Sequence, residues 1–207
     1  MKKLFGETKM SWAKVLLLAV VSAVITSVLL IVPSLKGTSF QDPGTYLECW
    51  FFLAIIIIVN CKKWWEASLK CFVFFLVSQP LIYLIQVPFN AHGWGIFQYY
   101  KTWFILTILT LPGAIIAYQL KRKNGLSVAI LAVPLLYWAG ASTSYLVWAI
   151  RRPINHLLSS LLCIAFGIAC SVYLFNKAKY KKASLIIFGL AWAAWLVLSI
   201  MDHGILM

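Results

Sequence analysis

The side chains best suited to chemistry are Glu48, Arg151, Arg152 and His156, with Asp42, His92, Asp202 and His203 placed near them by the topology derived below. An arginine pair can hold a phosphate or carboxylate through parallel hydrogen bonds, while a histidine and a glutamate move protons. Glu48, His156, Arg151 and Arg152 would therefore suit a membrane enzyme acting on a lipid-linked anionic substrate at the outer interface. Glu48, Arg151 and His156 would serve equally as the mouth of a solute-binding cavity, and outer loops carry polar residues in any case. Glu48 falls about one turn into an apolar run, where a carboxylate is costly unless paired. Arg151 or Arg152 is its expected partner.

A second set lies within an apolar run. Ser68, Gln79, Tyr83 and Gln86 share one helical face, with Pro80 beside the central glutamine. Uncharged hydrogen-bonding groups in hydrocarbon need partners or water. That face is expected either to line a polar cavity, making Gln79, Tyr83 and Gln86 ligand-binding residues, or to bond across to Ser142, Thr143 or Ser144. Glu66 and Lys70, four apart, have the favourable order for a helical ion pair that anchors one helix end.

Signatures that would define a reaction are missing. There is no G-x-S-x-G, H-E-x-x-H, P-loop or GxGxxG, and no pair of intramembrane aspartates. The five cysteines form no CxxC pair and no metal-ligand spacing with histidine, so neither a metal nor a cofactor is expected, and the odd number argues against a complete disulfide framework. The middles of the apolar runs carry no acids, which counts against an autonomous proton-driven pump.

Composition explains what must position these residues. Of 207 residues, 63% are hydrophobic and 11% charged, far from soluble usage, where about a quarter are charged. A hydrocarbon core of roughly 30 Å takes about twenty helical residues to cross. Seven apolar runs qualify as spans, near 12–32, 45–61, 64–89, 103–120, 126–150, 154–175 and 183–201. The run Ile55–Val59 favours a strand locally, but a lone strand in lipid leaves its backbone unpaired, so helix is expected. The expectation is an all-α polytopic transmembrane bundle forming one integral membrane domain over residues 1–207. The first run is read as a retained helix, because its apolar stretch exceeds a usual signal-peptide core.

The net charge of +13 sits in short clusters at the ends of these runs. With the N-terminus inside, fourteen of the 18 Lys and Arg residues fall in cytoplasmic segments (residues 2–14, 62–70, 121–123 and 177–182). The other four are Lys36, Lys101, Arg151 and Arg152. This is the positive-inside pattern, giving N-in/C-out, and it attracts anionic headgroups on the cytoplasmic side. No basic domain with an aromatic platform exists to bind nucleic acid. Trp12, Trp64, Trp65, Trp94, Trp103 and Trp148 fall near interfaces, whereas Trp50, Trp138, Trp192 and Trp195 are expected to pack inside.

Helices in lipid associate through small residues that allow close approach. Ala19-x3-Ala23-x3-Ser27, Gly140-x3-Ser144 and Cys163-x3-Gly167-x3-Ser171 mark such faces on the first, fifth and sixth spans. The Ala19-x3-Ala23 pair resembles the AxxxA docking motif on the first helix of substrate-binding subunits of energy-coupling-factor vitamin transporters. The resemblance implies a partner membrane subunit, although those subunits typically have six helices against the seven read here. Pro80, Pro112 and Pro134 interrupt three spans, which favours an internal cavity or a moving part. Thr107 and Thr110 are expected to satisfy carbonyls freed by Pro112.

The leading expectation is a non-enzymatic, multi-pass protein of a bacterial plasma (inner) membrane. It would bind or pass a small molecule or lipid, or serve as the membrane subunit of a larger assembly. Gln79, Tyr83 and Gln86, with Glu48, Arg151 and His156 at the outer entrance, would carry binding. The membrane enzyme described above is the first alternative and a ligand-free scaffold the second.

Overall fold

The computed structural model describes residues 4–151 and 155–203, with backbone alone for Pro43, Thr45, Arg151, Asp202 and His203. Eight α-helices follow one another: α1 (Trp12–Ile31), α2 (Asp42–Thr45), α3 (Glu48–Val59), α4 (Trp64–Gln86), α5 (Tyr100–Ala117), α6 (Gly125–Arg151), α7 (Leu157–Tyr173) and α8 (Ala178–His203). No strand occurs among the described residues, so the β-branched run in α3 is helical, as expected where backbone groups must be satisfied locally.

Local chemistry sets the boundaries. Ser11 caps α1, its hydroxyl accepting from the Lys14 amide at 3.3 Å, and the helix stops ahead of Pro33. The Glu66 carboxylate accepts from the backbone amides of Lys62 and Lys63, fixing the start of α4. It also pairs with Lys70, the ion pair read from the spacing. Asn124 and Ser127 cap α6 reciprocally, each side chain accepting from the other's amide.

Length and composition qualify five helical segments as membrane spans: Trp12–Ile31, Trp64–Phe89, Gly93–Arg122, Gly125–Ile150 and Ala178–Met201. The expected second and sixth spans are shorter, with 12 residues in α3 and 17 in α7. At about 1.5 Å per residue they reach about 18 and 26 Å, less than a hydrocarbon core of roughly 30 Å. Before α3, Ser39 and Asp42 are buried, and Ser39 donates to the Asn155 carbonyl just ahead of α7. At the other end of α3 stands the Asn60 side chain. Asn60 accepts from the Gly6 and Thr8 amides and donates to the carbonyls of Leu4 and Ile56. The helix α8 begins five residues earlier than the seventh apolar run and includes Lys179, Lys181 and Lys182.

Two groups of three helices make the bundle. In one, α4 lies between α1 and α5; in the other, α6 packs against α7 and α8; α3 bridges them through contacts with α4, α5 and α6. Ala19, Ala23 and Ser27 are fully buried, and the Ser27 hydroxyl lies 3.3 Å from the Ile82 carbonyl of α4. The face that resembles a subunit-docking motif is thus covered by the chain's own α4. Gly167 admits the Phe188 ring of α8 where a β-carbon would come within 2.5 Å of it, and Gly140 faces Trp195. Trp195 nevertheless keeps 45% of its surface exposed, so it covers α6 from outside rather than filling the core. Trp50 and Trp138 are buried as expected.

Candidate functional site

Five polar side chains converge where α2, α3, α6 and α7 meet. Asp42 and Glu48 open α2 and α3, are 5% and 6% exposed, and carry the two carboxylates. The Asp42 Oδ2 atom lies 3.0 Å from His156 Nδ1 and accepts from the Ser159 hydroxyl at 2.5 Å. The Glu48 Oε1 atom accepts from the Tyr145 hydroxyl at 3.0 Å. The Tyr145 and His156 rings stack with centroids 5.8 Å apart, joining the two halves. Backbone bonds hold the frame: Ser39 donates to the Asn155 carbonyl, the Ser159 amide donates to the Ser39 hydroxyl, and Trp138 Nε1 donates to the Glu48 carbonyl.

Both carboxylates are buried where a charge needs partners. Among the described residues the Glu48 carboxylate meets the neutral hydroxyl of Tyr145; the expected arginine partners, Arg152 and the Arg151 side chain, lie outside the described residues. His92 is exposed and lies in the loop before α5, its amide donating to Asn90. Ser159 donates to the carboxylate rather than to the imidazole, so the serine–histidine contact of an activated nucleophile is not made. The void among these groups is about 10 Å³, room for one water at most. Among the described residues, no three His, Cys, Asp or Glu side chains stand together as a metal site.

The polar face of α4 divides. Gln79 is 2% exposed and its Nε2 finds no hydrogen-bond partner. Gln86 donates to the Ile82 carbonyl one turn back. Tyr83 joins an aromatic cluster with Phe97 and Tyr100. Ser68 donates to the Leu111 carbonyl of α5. The expected bridge to Ser142–Ser144 is not formed, because α4 packs against α1 and α5 while Ser142 accepts from Ser160 of α7.

A cavity of about 550 Å³ lies elsewhere, between α3, α4, α5 and α6. Trp50, Ile55, Phe75, Trp103, Gly113 and Pro134 are among its lining residues, whereas Gln79, Tyr83 and Gln86 are not. Its only side-chain hydroxyls, Thr107 and Thr110, bond to the Trp103 and Thr107 carbonyls of their own helix. Pro112 frees the Ile108 carbonyl instead, so the expected compensation does not occur. The mouth opens between α5 and α6, where Leu109, Ile116 and Val133 line the cavity yet stay 56%, 59% and 65% exposed.

Comparison with protein-family models, with curated proteins and with solved structures finds no match for this chain.

Function must then be argued from these two sites. Sequence reasoning placed Asp42 near Glu48 and His156 but missed Tyr145 and Ser159 as members of the polar centre, and missed the location of the cavity. Signals for both were present in the Asp42-Pro43-Gly44 turn and in the prolines of α5 and α6.

Proposed function

We propose that this chain is a multi-pass plasma-membrane protein, N-in/C-out and a single membrane domain, that takes an apolar or amphipathic small molecule from the bilayer. The carrying observation is the cavity of about 550 Å³ with an apolar mouth on long apolar helices. Its size falls within the roughly 300–1,000 Å³ range of small-molecule sites. A mouth at bilayer depth is reached through lipid, and a lining made almost wholly of apolar side chains selects for hydrocarbon.

The orientation and the seven-pass path rest on the chain's own pairings. Asn60, Tyr118, Lys121 and Lys123 reach Leu4, Lys62, Cys61 and Asn176 at one end, while Ser39 and Asp42 reach Asn155 and His156 at the other. With α3 and α7 counted as short passes, the positive-inside rule puts the lysine-rich end in the cytoplasm. Glu48 and His156 then close the outer end, while Tyr83 and Gln86 stabilise the α4 side.

The test uses Gly113, which lines the cavity and has open space where a side chain would grow. Gly113→Leu should obstruct the site without a clash at the β-carbon. Phospholipids with brominated acyl chains quench indole on contact, and Trp50 and Trp103 face the cavity. The wild type should show a quenching component that Gly113→Leu lacks; identical quenching in both would refute a ligand cavity.

A further inference from the structure

We infer that the ligand is a single anionic phospholipid, with one acyl chain in the cavity and its phosphate among Lys62, Lys63, Lys121 and Arg122. This rests on the cavity being a ligand site and adds the class of molecule that fills it.

The shape comes first. The lining runs from Leu47, at the N-cap of α3, to Ile58 within it, eleven residue steps or about 16 Å of helix. It is therefore an elongated slot parallel to the bundle rather than a round chamber. Leu109, Ile116 and Val133 make its mouth apolar and lateral. A linear hydrocarbon chain, lying as lipid chains lie, fits such a slot.

Charge fixes the direction of the chain. At one end the lining finishes with Ala117 and Leu120, and Lys121 and Arg122 follow at once. Ile58 brings α3 to the same level, and Lys62 and Lys63 come just after its end. The two segments are tied together. Tyr118 donates its hydroxyl to the Lys62 carbonyl, and the Lys121 ammonium donates to the Cys61 carbonyl. Four exposed cationic side chains thus gather where the slot ends.

The carboxylate at this point in the sequence, Glu66, is engaged by Lys70 and by the backbone amides of Lys62 and Lys63. It leaves the four cations without an acidic side-chain partner among the described residues. Near Trp103 at the other end stands Lys101, with no cluster of similar density. A phosphate belongs where the positive potential is greatest, and juxtamembrane lysines and arginines attract anionic headgroups for that reason.

The experiment is native mass spectrometry of the whole protein from nanodiscs of phosphatidylglycerol, of phosphatidylcholine, or of equal mixtures, counting retained lipids. The wild type should keep one lipid and favour phosphatidylglycerol by about tenfold, a preference reduced at high salt. Lys62→Gln, Lys63→Gln and Arg122→Gln together should bring the two lipids to parity, while Gly113→Leu should retain neither. Raising salt on the unmodified protein repeats the charge test without any substitution. Added inorganic phosphate should not displace the lipid, because the chain supplies much of the binding; displacement by phosphate would overturn the lipid assignment in favour of a free anion. Equal retention of both lipids by the wild type, with loss of both in Gly113→Leu, would overturn the anionic assignment and leave the cavity standing. Retention unchanged by Gly113→Leu would instead remove the cavity reading itself.

Discussion

His156 and Asp42 stand 114 residues apart in sequence, yet their Nδ1 and Oδ2 atoms are 3.0 Å apart. The contact fastens the start of α2 to the start of α7, and Ser159 completes it by donating to the same carboxylate oxygen. Helices distant in the chain are therefore joined at this end by polar contacts together with ring packing.

Removing Asp42 tests how much this fastening contributes. Asp42→Ala removes the carboxylate from the imidazole and leaves the Ser159 hydroxyl only the Ser39 carbonyl, and should lower stability by about 1–3 kcal/mol. Denaturation of the detergent-solubilised protein would measure it. A double-mutant cycle with His156→Ala should give a coupling above about 0.5 kcal/mol; simple additivity would show the contact to be idle.

Glu48 and Tyr145 separate a structural role from a catalytic one. Tyr145→Phe strips Glu48 Oε1 of its donor and should cost about 1–3 kcal/mol. Glu48→Gln keeps an acceptor there and should cost less, with lipid retention unchanged. A turnover assay on lipid-linked phosphates that responds only to Glu48→Gln would restore the enzyme reading.

Gln79 makes the opposite prediction. Its Nε2 is buried and unpartnered, so Gln79→Leu removes a desolvation cost and should be neutral or stabilising by about 1 kcal/mol. Thermal unfolding monitored by circular dichroism decides this. A marked loss of ligand retention would instead reinstate the polar face of α4 as part of a site.

Gly167 sets a packing limit. A leucine there must displace the Phe188 ring, since even a β-carbon would sit 2.5 Å from it, and should cost about 1–3 kcal/mol. Gly113→Leu, facing open space, should cost little. Equal melting temperatures for the two variants would contradict the close approach of α7 and α8.

The helical class, the helix-lined apolar runs and the small-residue contacts were legible because lipid leaves the backbone few choices. Ala19, Ala23 and Gly167 announce close approach by size alone. The lengths of α3 and α7 were not legible, since hydropathy cannot see that Ser39 bonds to the Asn155 carbonyl ahead of α7 or that Asn60, at the end of α3, bonds to residues 4–8. Asp42, Glu48 and His156 were found by type, but Tyr145 and Ser159 were not. Tyr145 reads as one more aromatic in an apolar run, and Ser159 as one more small residue, until the bundle brings them together. Pro112 and Pro134 pointed toward a cavity whose position depends on how few contacts α5 and α6 share.

The burial of the Ala19–Ala23–Ser27 face against α4 also constrains the order of assembly. The partner of α1 is not the next helix but one made some thirty residues after α1 is complete. During synthesis α1 must wait in the membrane, its small-residue face covered by lipid or by the insertion machinery, until α4 arrives. The bridging α3 cannot complete its own packing until α5 and α6 have been made. Truncated chains that end before α4 should therefore be handled by the cell as orphans, whatever their hydrophobicity.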